Sequence, residues 1–172
     1  MSARVSARAP RDAASDYRAK LSHEAARLAR KMREAGHQPP LGDPGCGLMV
    51  VIEQPVGPRV LDALSRSLSA IGLSDAYVTA AGTGRLYEEA LSTEPSALVA
   101  VGPGAAQGID ALDHPLALRS YSDATQGQWF DWTKGTAGLL LPPLAPALDD
   151  EEAKRRFWTS FLALRQLAPR AL

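Results

Sequence analysis

A chain of 172 residues with 45% hydrophobic and 22% charged side chains can bury one core, and its formal net charge of zero creates no overall field toward polyanions. A single cysteine, Cys46, excludes an internal disulfide, a Cys-rich zinc site and a cysteine-ligated iron–sulfur cluster. No apolar run approaches the ~20 residues of a membrane span and none follows the basic N-terminus as in a secretory signal, so the sequence reads as a cytoplasmic protein.

The neutral total hides an asymmetry. Residues 1–36 hold 9 Lys/Arg against 4 Asp/Glu, whereas residues 37–172 hold 10 against 15. Phosphate contacts dominate affinity for duplex DNA. The mildly acidic body is therefore expected to bind DNA weakly, leaving nucleic-acid contact to the basic N-terminal segment or a local patch.

In chain order, residues 1–11 read as a mobile tail. Asp12 to Ala35 is rich in strong helix formers. Its Tyr17, Leu21, Leu28 and Met32 share one helical face, which either packs on the body or docks on a protein partner. Gly36 suits the helix end, and residues 37–47 read as a linker or loop. The body, residues 48–168, alternates strand and helix. Leu48–Ile52 is an apolar run of the kind found in parallel strands buried on both faces. Residues 59–71 form an amphipathic helix closed by Gly72, and 76–80 a second strand. A helix over 85–91, a third strand over 97–101 and a short helix from Gly102 to Leu112 follow. The stretch 116–134 is irregular, with a hairpin expected around Trp129, Phe130 and Trp132. A fourth strand spans 137–141. A helix over 149–167 starts with acids that suit its dipole and buries Phe157, Phe161, Leu164 and Trp158. The repeated units predict an α/β fold: a three-layer α/β/α sandwich around a central, mainly parallel four-stranded sheet.

Ligands of such sheets bind beyond the carboxyl ends of the strands, which directs attention to Glu53-Gln54-Pro55, to Ala80, to Gly102-Pro103-Gly104 and to Pro142-Pro143. The order of these segments, with the Gly127-to-Trp132 stretch and the Lys154/Trp158 terminal helix, resembles the uracil-DNA glycosylase superfamily over roughly residues 47–167. The resemblance implies a Gly-Glu-x-Pro-Gly loop for water activation; here Glu53 and Pro55 match, but Ile52 and Val56 replace the glycines. It implies a base-reading Asn where this chain has Ala80, and a His-Pro-Ser motif near Pro143-Leu144-Ala145, where no His stands. The cluster-binding cysteines of the thermostable bacterial branch are missing too. The layout is also similar to the psi-subunit family of the bacterial DNA polymerase III clamp loader, catalytically inactive proteins of this fold class that bind partner subunits. Losing one stabilising donor typically costs on the order of 10²–10³ in rate. The expectation is therefore a non-catalytic interaction subunit in DNA replication or repair, with a relict pocket of Gln54, Pro55, Ala80, Gly102 and Pro143 and no metal or cofactor. The alternative is an active uracil-DNA glycosylase or related nucleobase N-glycosidic hydrolase using Glu53.

The remaining signals read as structural. The glycines of 102–108 fit neither a Walker nor a dinucleotide motif and suit a tight strand-to-helix turn. His23, His37 and His114 are scattered, as surface histidines would be. Trp129, Phe130 and Trp132 read as core or partner-facing aromatics rather than base-stacking platforms. Lys154, Arg155 and Arg156 read as a solvated face. Glu53 itself either caps the helix that starts at Gly57 or lines the relict pocket.

Overall fold

The computed structural model describes residues 12–167; the tail read over 1–11 lies outside the described residues. The chain runs through α1 (Ala13–Glu34), β1 (Leu48–Ile52), α2 (Pro58–Ala70), β2 (Tyr77–Ala80), α3 (Leu86–Thr93), β3 (Ala97–Val101), α4 (Pro103–Asp110), β4 (Phe130–Thr133), β5 (Thr136–Leu141) and α5 (Glu151–Phe161). Local chemistry sets several of these boundaries. The Asp12 carboxylate accepts from Ala14 N–H at the start of α1, and Asp150 accepts from Glu152 and Ala153 N–H at the start of α5. Pro58 opens α2, where its missing N–H costs nothing. The expected terminal helix is shorter than its pattern suggested: after Phe161 it tightens into a 3₁₀ segment, Leu162–Gln166.

The strands form one five-stranded sheet in the order β2-β1-β3-β5-β4, so the expected count of four is corrected. β2, β1, β3 and β5 are parallel, and β4 joins β5 antiparallel through the Lys134-Gly135 turn. The hairpin is where it was expected, but its first arm completes the sheet. Phe130 can lie against β5 because Gly138 has no side chain; a Cβ there would collide with the Phe130 ring.

Alternation sorts the apolar strands into two cores. Leu48, Val50, Ile52, Val99, Val101, Leu139 and Leu141 face α2 and α5, meeting Leu64, Leu68, Phe157 and Phe161. Met49, Val51, Leu98, Ala100 and Leu140 face the opposite side, meeting Leu86, Ala105, Ile109 and Tyr121. Helices therefore cover both faces. Trp158, expected inside, is 39% exposed and stacks on Phe161 from outside.

Both sheet edges are blunted. Segment 37–47 lies against β2, where Leu41 and Val78 exchange backbone hydrogen bonds of 2.9 and 2.8 Å. The adjoining Gly42 has φ +89°, and a Cβ there would run into the Ala76 carbonyl. At the other edge Leu118 N–H donates to the Trp132 carbonyl at 2.7 Å. Capped edges leave few free backbone groups to recruit another strand.

The α1 face proposed for partner binding is largely used within the chain. Leu21, Leu28 and Met32 are buried, and only Tyr17 remains open, at 51% exposure. α1 packs on α3, with Tyr17 hydroxyl donating to Glu94 at 3.3 Å and Arg27 lying 3.5 Å from Glu88. Each of the three buried side chains is worth ~1.5–3 kcal/mol. Deleting residues 1–36 should therefore lower the melting temperature by more than ~10 °C, on a scale of ~2–4 °C per kcal/mol for a domain of this size. Thermal denaturation of the truncated chain checks this; an unchanged melting temperature would make α1 a detachable arm.

Candidate functional site

Strand order fixes where a ligand-binding crevice belongs. From β1 the chain leaves toward β2, and from β3 it leaves toward β5, so the connections diverge between β1 and β3. The carboxyl ends of those two strands form the topological switch point of the sheet. Glu53 follows β1 there and Gly102 follows β3.

The two are in direct contact. Glu53 Oε2 accepts the Gly104 N–H at 2.7 Å, at the first turn of α4. A helix N-terminus carries unpaired N–H groups and a partial positive charge, both of which favour a carboxylate. Gly102 stands at φ +90°, and a Cβ on it would overlap the Glu53 carboxylate; one on Gly104 would press on the same side chain at 2.8 Å. The glycines of the 102–104 turn thus serve close approach of this carboxylate rather than a phosphate. Glu53 caps α4, not the helix starting at Gly57, whose N-cap has no side-chain hydrogen bond.

Around this pair the other expected pocket residues are mostly apolar. Ala80 is buried in the α2/α5-side core, and half-buried Val56 packs against it. Gln54 and Pro55 are exposed and joined by a cis peptide, with Gln54 Cγ lying 3.7 Å from where a Gly82 Cβ would stand. Pro143 is half-buried beside buried Leu144. The buried Thr83 hydroxyl accepts from Arg85 N–H at 3.2 Å. The switch point thus brings Glu53 and Gly102 together, while Ala80 and Pro143 contribute no side-chain donor or acceptor.

The remaining candidates resolve into structure. Phe130 and Trp132 are buried, and the Trp129 indole N–H donates to the Ala163 carbonyl at 3.1 Å. His114 is half-buried, not freely exposed: its ring lies 5.0 Å from Trp132 and 6.0 Å from Tyr87, and its Nδ1 accepts from Leu116 N–H. Lys154, Arg155 and Arg156 face solvent as expected. Cys46 is partly buried, its thiol 3.2 Å from the Leu48 carbonyl. It lines a concavity of about 720 Å³ at the opposite, amino end of the strands, together with Asp43, Asp75 and Ser96. Among the described residues no group of three or more His, Cys, Asp or Glu side chains could hold a metal. Nor is any described helix long and apolar enough to cross a membrane.

Two buried polar centres were not read from the sequence. Tyr121 is fully buried and donates to the Leu98 carbonyl at 2.6 Å, while Asp110 accepts from Tyr121 N–H, Ser122 N–H and the Ser122 hydroxyl. Glu89 is also fully buried, accepting from the Tyr77 hydroxyl at 2.6 Å and the Thr79 hydroxyl at 2.9 Å. A signal existed for the second: Glu89 lies on the helical face of Leu86 and Thr93, and Tyr77 and Thr79 alternate onto one strand face.

Comparison with known proteins gives no matching family model and no matching curated protein.

Replacing Glu53 by Ala removes a charge-assisted bond of the class worth ~1.5–3 kcal/mol, discounted here by partial exposure. A loss of ~1–2 kcal/mol in unfolding free energy, measured by denaturant titration, is expected. Gly102→Ala should cost more in the wild type than in the Glu53→Ala background, because the second background removes the colliding carboxylate. Equal costs in both backgrounds would show that the contact is not what requires glycine.

Proposed function

We propose that the chain is a non-catalytic, uracil-DNA-glycosylase-like protein that acts as a protein-binding subunit in DNA replication or repair. One observation carries the catalytic half of this reading: the Glu53 carboxylate, the group best placed at the strand ends for chemistry, is bound to the Gly104 N–H as the cap of α4. A glycosylase must take a base out of the stack, read its edge by hydrogen bonds and stabilise the charge that develops on the leaving group. Ala80 and Pro143, at the positions where the resemblance implies these donors, supply neither. Val56 packs toward the core where the resemblance implies a glycine.

The interaction half rests on the surface. Tyr87 and Leu91 stand one turn apart on α3 and are 38% and 53% exposed. Leu116 and Leu118 are more exposed still, and His114 connects that loop to Tyr87. Apolar side chains gathered this way favour a protein partner over a polyanion. The acidic balance of residues 37–172 leaves DNA contact weak.

The full chain incubated with uracil-containing single-stranded DNA should release uracil at the rate of a protein-free control. Robust turnover that disappears in Glu53→Gln would overturn the proposal and establish the hydrolase alternative, with Glu53 as its working carboxylate.

A further inference from the structure

Glu89 is the one carboxylate among the described residues with no exposure to solvent. It projects from α3 onto the underside of β2, where the Tyr77 and Thr79 hydroxyls donate to it. The remaining charged groups of this layer are directed elsewhere. On α3 and its flank, Glu88 is held by Arg85 at 2.8 Å and faces Arg27 and Lys31 of α1, while Glu94 receives the Tyr17 hydroxyl. From the sheet, β1 contributes Met49, whose sulfur lies 3.7 Å from the Thr93 hydroxyl, and the Thr93 hydroxyl donates to the Glu89 backbone carbonyl. Among the described residues no cation is hydrogen-bonded or ion-paired to the Glu89 carboxylate, so ionising it places an uncompensated charge in the core.

We propose that Glu89 is a pH-operated latch: protonated, it holds α3, and α1 packed on it, against β2; ionised, it loosens that layer toward local opening. The layer suits such a role. α3 has only 8 residues, and its N-cap, Arg85, makes no side-chain capping bond. Helices this short owe their stability to tertiary packing, and most of the buried face of α3 is Leu86, Glu89 and Thr93. The cost of a charge at the centre of that face therefore falls on this one element. Local opening is an established mode of motion for weakly held elements.

The direction follows from the balance at the carboxyl. Burial pushes Glu89 up to about 7 from an ordinary 4.5, and the hydrogen bonds from Tyr77 and Thr79 offset it only in part. A raised folded value means that the closed layer binds the proton more tightly than the opened one. The stabilisation is fully present below about 4.5, declines as pH rises, and is lost above about 7. Between pH 5 and 8.5 the opening constant of the layer should rise on the order of 50-fold.

Amide hydrogen exchange of the full chain at pH 5 and pH 8.5, corrected for intrinsic exchange rates, tests this directly. Amides of α3 should lose protection by tens of fold relative to those of α5, and Glu89→Gln should remove most of that difference. Constant protection of α3 relative to α5 across the range, or an equal pH response in Glu89→Gln, would overturn the proposal. Should Glu89→Gln fail to fold, the wild-type comparison of α3 with α5 decides alone.

Discussion

A parallel sheet has no face to give to water, and the rest of this chain is arranged around that constraint. Each parallel strand alternates apolar side chains between two cores, so both faces need a cover. α2 and α5 answer on one side; α3, α4 and the loop ordered by Asp110 and Tyr121 answer on the other. The edges are then the remaining hazard. Leu41 on β2 and Leu118 beside β4 close them in part with single backbone pairings rather than full strands. Segment 37–47 thereby joins α1 to the body through contacts instead of merely spanning a gap.

The same packing shapes the mouth of the sheet. At the switch point two strand ends and the start of α4 converge. Glu53 is accepted there only because Gly102 and Gly104 lack side chains. A carboxylate so placed satisfies the helix terminus and the backbone at once. What would be a working acid or base in an open cleft serves here as a cap. The proposed partner would instead meet the flank, where α3 and the 114–118 loop leave large apolar side chains uncovered.

Much of the fold was legible in the sequence because it rests on periodicity. The runs LMVVI, ALVAV and AGLLL, and the stripe of Leu64 and Leu68, could hardly be placed otherwise. The fifth strand was half-visible: the hairpin could be foreseen, but its joining the sheet depends on Gly138 accommodating Phe130, a long-range fit that no local pattern encodes. The burial of Leu21, Leu28 and Met32 was likewise undecidable locally, since an amphipathic face reads the same whether it covers its own domain or another protein. At the site, position was legible and partnership was not. Strand ends pointed to Glu53 and Gly102, but a hydrogen bond spanning 51 residues to Gly104 is a property of topology. Glu89 was missed for the opposite reason. A glutamate on a short helix reads as solvated, and only the hydroxyls of Tyr77 and Thr79 opposite it make burial tolerable.

On the proposed reading Glu53, bound to the start of α4, leaves the switch point without a place for a base. An amide NMR titration of the full chain with free uracil tests it most directly. The amides of Ala80, Gly82, Gly102 and Gly104 should keep their shifts up to millimolar uracil. Saturable shifts confined to those four amides would contradict it, because they would mean that Glu53 yields the mouth of the sheet to a ligand.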